Sequence, residues 1–191
     1  MKSKFVIPLI AALALVSQLC LAGSVKGKVT PGKSVVYLEA ASGPVAATAD
    51  KHVVMDQKGL LFQPHVLVIQ QGTTVEFLNG DPVAHNVFWP SISGDKKKSH
   101  NLGTWPTGQK KPFKFEEAGV VALLCNVHPE MAGYIVVTPS PYYTETDASG
   151  AYSIANVPEG QYTLTAWHEG KKILTKKISV TGDTIADLTL Q

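Results

Sequence analysis

Cysteine is almost missing from this chain of 191 residues: there are two, Cys20 and Cys125. Cys20 falls in an N-terminal leader, so the mature chain holds one thiol and cannot close an internal disulfide. An excess of one charge is missing too. The 17 basic residues face 15 acidic ones, and with Lys2 and Lys4 in the leader the mature balance is 15 to 15. A neutral chain has no electrostatic case for nucleic acid or an anionic membrane. Lys96, Lys97 and Lys98 form the only run of three basic residues, read as a solvated loop, with steering of a partner as the alternative. No apolar run is long enough to span a bilayer, which takes about 20 residues, so no stable membrane insertion is expected. Helical periodicity is absent after the leader. Short alternating or β-branched segments bounded by Gly, Pro and Asn take its place, which implies an all-β protein.

The leader has the parts of a signal peptide over residues 1–22. Lys2 and Lys4 precede an apolar stretch from Phe5 to Val16, and Cys20-Leu21-Ala22 brings a small residue to the cut. Lipoprotein anchoring at Cys20 is the competing reading, but Leu19 is large for that processing signal. A periplasmic or otherwise exported chain is expected. There an unpaired thiol needs an explanation, and a thiolate held by a metal is one.

The segment Cys125-Asn126-Val127-His128-Pro129-Glu130-Met131, with His85 upstream, offers one thiolate, two imidazoles and one thioether. Singly, each has a bland reading: a small buried hydrophobe, core filler, a loop histidine. Together they are the donors of a trigonal copper site with a weak axial Met. Zinc competes for Cys and His, but its structural sites want four such ligands and a thioether is not among its usual donors. The run from Gly119 to Leu124 reads as a buried strand, and Gly133 to Val137 as the return strand. Strand, ligand turn and strand make a rigid mount. His85 must arrive from a separate loop.

These residues carry a resemblance. From about Met55 to Val137 the chain resembles the plastocyanin-like cupredoxins, with a short ligand turn most similar to that of amicyanin. The matching pieces are Phe62-Gln63-Pro64, Gly72 to Phe77, Asp81 to Val87, and the Cys-His-Met turn. The resemblance implies a Greek-key β-sandwich and one type 1 copper ion on His85, Cys125, His128 and Met131. It implies Asn86 as a residue just outside the ligands. His52, His65, His100 and His168 match no ligand position. Phe88, Trp89 and Pro129 are candidates for an apolar rim, with core as the alternative for the aromatics.

The tail differs in texture. Thr146 to Ile154 leads to Val157 through Trp167, where Tyr162, Leu164 and Ala166 alternate with Thr163 and Thr165. It resembles the transthyretin-like sandwich of carboxypeptidase regulatory domains, whose first two strands match Val25–Val29 and Val35–Glu39. That implies a second small sandwich from 23–50 plus 140–191, with the cupredoxin at 51–139 between its strands. The alternative is a cupredoxin at 23–139 with a C-terminal module. Val66–Ile69 and Thr73–Leu78 are expected as a hairpin about Gln71-Gly72, and Pro90–Gly108 as a long loop near the copper end. The expected function is single-electron transfer, without enzymatic chemistry, to and from redox proteins such as a c-type cytochrome or a dehydrogenase. A copper carrier without redox turnover is the runner-up.

Overall fold

The computed structural model describes residues 22–40 and 53–191, so residues 1–21 of the expected leader and His52 lie outside the described residues. The chain opens with β1 (Ala22–Thr30) and β2 (Val35–Ala40), then runs through β3 (Val53–Gln57), β4 (Phe62–Gln63) and β5 (Val66–Gln70). β6 (Thr74–Asn79) and β7 (His85–Trp89) follow, and one 3-10 turn at Lys96–Lys98 precedes β8 (His100–Trp105). Next come β9 (Lys110–Lys114), β10 (Gly119–Leu124) and β11 (Ala132–Thr138). The tail adds β12 (Tyr143–Glu145), β13 (Ala151–Pro158), β14 (Gly160–Trp167), β15 (Leu174–Val180), β16 (Thr184–Ile185) and β17 (Leu188–Thr189).

Four sheets result, packed as two sandwiches. In the first, β5-β11-β10-β7-β8 faces β4-β3-β6-β9 around Met55, Phe62, Phe77, Val87, Trp89 and Leu123. In the second, β13-β1-β16, with β17 also on β1, faces β12-β2-β14-β15 around Val25, Leu38, Ile154, Leu164 and Val180. The pairings of β1 and β2 are all with strands of the tail.

The period of two decides how the sandwiches meet. On β11, Ile135 and Val137 enter the first core, so Tyr134 and Val136 point out of it. Val66 and Val68 of β5 and Val120 of β10 share that outer face. Val35 and Tyr37 of β2 and Trp167 of β14 point out of the second core and cover it. The Tyr134 and Trp167 rings lie 5.2 Å apart. Strands in this middle layer are buried on both faces, which is why β10 and β11 read as continuous apolar runs. Polar ties flank the seam. Ser140 donates its hydroxyl to the Leu38 carbonyl, and His65 Nε2 lies 2.7 Å from Glu169 Oε2. That bond to His65 holds the Glu169 carboxyl below its ordinary value. Both side chains are about half exposed, so the pair contributes only about 0–1 kcal/mol.

Two expectations are corrected. β5 and β6 are not a hairpin: β5 pairs in parallel with β11, and β6 pairs with β3 and β9. Gly72, at φ +88°, carries the chain from one sheet to the other, and its N–H bonds the Phe115 carbonyl at 2.7 Å. Nor is Pro90–Gly108 one loop: its second half lies beside His85, which pairs with Trp105, and its first half lies away from the cysteine. It contains β8, and Ile92 bridges Val121 near the start of β10. At about 3.3 Å per residue, that contact is roughly 13 Å along β10 from Cys125. The buried Ile92 side chain and the bond from Trp89 Nε1 to the Lys98 carbonyl pin the loop there.

Candidate metal centre

The ligand turn hangs between paired strands. β10 and β11 are in register up to Leu124 and Ala132, and Leu124 also pairs with Phe88 of β7. That pairing brings the start of β7, and with it His85, beside Cys125. The Met131 N–H closes the turn on the His128 carbonyl at 3.0 Å. Gly133 lets β11 continue at once: a Cβ there would stand 2.7 Å from Cβ of Phe62, which is packed in the core.

Three side chains converge. His85 Nδ1 lies 3.0 Å from His128 Nδ1, and Cys125 Sγ lies 3.9 Å from that same His128 nitrogen. All three donor atoms fall within 4.8 Å of one another. His85 and Met131 are fully buried, Cys125 is buried and His128 is half-buried. The donor set fits a metal ion. Bonds of about 2.0–2.3 Å to imidazole and thiolate leave donors roughly 3.5–4 Å apart around a trigonal ion. Two imidazole nitrogens also face each other, so one must hold a proton that a metal would displace.

Asn86 ties the two halves of the site together. Its N–H points to Cys125 Sγ at 3.4 Å, and its Oδ1 accepts from the Asn126 N–H at 3.3 Å. Its Nδ2 donates to Asn101 Oδ1 at 2.9 Å, which also takes the Gly103 N–H. The sequence reading had no place for Asn101.

Asp81 was also missed as a participant. Its Oδ2 lies 2.8 Å from His85 Nε2 and accepts the Leu60 N–H at 2.9 Å, while Oδ1 accepts the Gly59 N–H at 2.6 Å. Burial pushes the Asp81 carboxyl up, but the N–H groups of Leu60 and Gly59 and the His85 ring together hold it below its ordinary value. The available signal was a carboxylate four residues before a candidate ligand His, since ligating imidazoles commonly give their second N–H to a carboxylate.

The remaining histidines stand elsewhere. His65 meets Glu169 at the seam, His100 lies exposed against Trp89 and Phe113, and His168 follows β14. Trp89 is core and not rim. It packs on Phe113 and Phe115 at the far end of β7 from His85.

The fold and the site define a cupredoxin. Residues 49–138 match the plastocyanin/azurin family of copper binding proteins, and residues 133–191 match the carboxypeptidase regulatory-like domain. Amicyanin from Paracoccus versutus is 36% identical over 98 residues, which are 49% of this chain and 72% of that protein. The chain therefore belongs to the copper-binding plastocyanin/azurin family. Solved amicyanin variants are similar as well. A reduced one has a TM-score of 0.42 at 26% identity, over 53% of this chain and 98% of the other. An oxidised one has a TM-score of 0.42 at 25% identity over the same shares.

Proposed function

We propose that this chain is an exported blue-copper protein that carries single electrons between redox proteins, with one type 1 copper ion on His85, Cys125, His128 and Met131. The convergence of three soft or borderline donors in a buried cleft supports the reading most strongly. A bound copper ion would supply a one-electron couple. The chain's own residues hold its surroundings still, because His85 and Cys125 sit at the ends of paired strands and Asn86 joins them. Cys125 is the thiolate and Met131 the weak axial donor. Half-buried His128 is the ring through which electrons pass to a docked partner, and exposed Val127 and Pro129 flank it on the turn. The partners are redox proteins such as a c-type cytochrome or a dehydrogenase, met in the periplasm after removal of residues 1–22. Among the described residues no helix is long and apolar enough to cross a membrane. We further propose that segment 51–139 is inserted between the strands of a second sandwich formed by 23–50 and 140–191.

The deciding measurement is a visible spectrum of the copper-loaded mature protein. An intense thiolate-to-copper band that bleaches on reduction and returns on oxidation is expected. A colourless protein, or colour that reduction does not bleach, would remove the electron-carrier reading.

Asn86→Ala removes both side-chain links but keeps the backbone N–H aimed at Cys125. The variant is expected to bind copper, to lose it to a chelator about 10–100-fold faster, and to change potential. Unchanged loss rate and potential would reduce Asn86 to an ordinary turn residue.

A further inference from the structure

We propose that Asp81 is a positioning residue for the copper site: its carboxylate accepts a hydrogen bond from the Nε2–H of His85 and so fixes Nδ1 as the atom offered to the metal. The proposal rests on the ligand reading above. His85 is fully buried, and each ring nitrogen faces one partner, Nδ1 toward His128 and Nε2 toward Asp81. A carboxylate only accepts, so the proton of a neutral ring sits on Nε2 and the Nδ1 lone pair is free. The ring cannot turn over without placing that lone pair against a carboxylate.

Asp81 is itself held from several sides. Its N–H bonds Asn79 Oδ1 at 3.0 Å, and its carbonyl accepts the Thr107 hydroxyl. Asn79, fully buried, also donates to the Val83 carbonyl within the loop that leads to His85, and to the Trp105 carbonyl at the end of β8. The carboxylate then reaches out to the turn between β3 and β4. Gly59 and Leu60 both have positive φ, at 66° and 59°. A left-handed Leu is uncommon and strained, and it persists only where its surroundings dictate it. The Gly59 and Leu60 N–H groups on the two oxygens of Asp81 do that. Anchoring this turn is the purely structural role, and it accounts for the N–H group on each oxygen. It does not account for the second contact of Oδ2, with His85 Nε2.

The charge has a consequence of its own. An anion hydrogen-bonded behind a ligand imidazole raises its basicity and favours the more highly charged metal state. Asp81→Asn keeps size and one acceptor oxygen but removes the charge. In the copper-loaded full chain the charge-transfer band should remain. Copper(II) affinity should fall about 10–100-fold with copper(I) little changed. At about 59 mV per tenfold for one electron, the potential then rises by roughly 59–118 mV. A merely structural role would lower thermal stability and leave the potential alone. A second measurement needs no variant. In the metal-free wild-type chain, nitrogen-15 NMR should show His85 protonated on Nε2, with a slowly exchanging proton. Equal potentials with the band intact in both proteins, or a His85 proton on Nδ1, overturns the role of Asp81 and leaves the ligands standing. Wild-type protein with no band overturns the ligand set, and this proposal with it.

Discussion

Copper(II) added to the Cys125→Ser protein is expected to leave it colourless while the fold survives. The band arises from electron density passing from a thiolate to copper, and only Cys125 among the described residues offers a thiol. A serine oxygen is hard, and at neutral pH it keeps its proton, whereas a metal takes the proton from a thiol outright. Copper(II) should therefore bind more weakly, through imidazoles alone, without the intense absorption. The fold should persist because the exchange is nearly isosteric and the site already holds a donor: the Asn86 N–H that points at Sγ can bond the new hydroxyl. A hydroxyl in this buried position still costs about 1–3 kcal/mol. At about 2–4 °C per kcal/mol for a chain of this size, melting should fall by roughly 2–12 °C. Absorption spectra and thermal melts of both proteins test the two halves separately. A Ser variant that keeps the colour would show that Cys125 is not the donor. A variant that no longer folds would show that the thiol serves the core first.

The site was more legible than its surroundings, for a physical reason. Cys125, His128 and Met131 lie on one short turn, so their nearness is local and their donor chemistry is rare. His85 carried the same chemistry from a distant loop. Asp81 offered only a carboxylate four residues before a His, a weak local signal, and the turn that holds it, at Gly59 and Leu60, lies about twenty residues earlier. Strands were legible for the same local reason that their partners were not. Period two locates β5 and β6 and marks Gly72 as a turn. It does not say that the two strands find their partners in different sheets. The seam was illegible for another reason. Thr163 and Thr165 read as one exposed face of β14, yet Thr165 is buried and Trp167, on that same face, lies against Tyr134. A second layer over a mixed polar and aromatic face leaves little trace in one strand's sequence.

Removing 140–191 is expected to do more damage than removing 23–50 as well. The longer fragment, 23–139, keeps β1 and β2 but loses β12, β13, β14, β16 and β17, which supply their pairings. Two strands then present Val25, Val29, Val36 and Leu38, now nearly or wholly buried, to water along with open edges. Open apolar edges aggregate. The shorter fragment, 51–139, retains both sheets of the first sandwich, its aromatic core, and His85, Cys125, His128 and Met131. It should fold and give the same copper band as the full chain. It also uncovers the outer strip of Val66, Val68, Val120, Tyr134 and Val136 that the second sandwich covers. Burying one such valine contributes on the order of 1.5–3 kcal/mol, so the bare strip should drive self-association. Val136→Lys in the short fragment should return it to a monomer without altering the band, because Val136 points away from the core that carries the site. Sedimentation of the three fragments, with a spectrum of each, makes the test. Copper binding by 23–139 but not by 51–139 would give the first two strands to the cupredoxin and end the insertion proposal. Self-association of 51–139, absent from the full chain, would give the second sandwich a physical role before any partner is named: the cover over a sheet that is apolar on both faces.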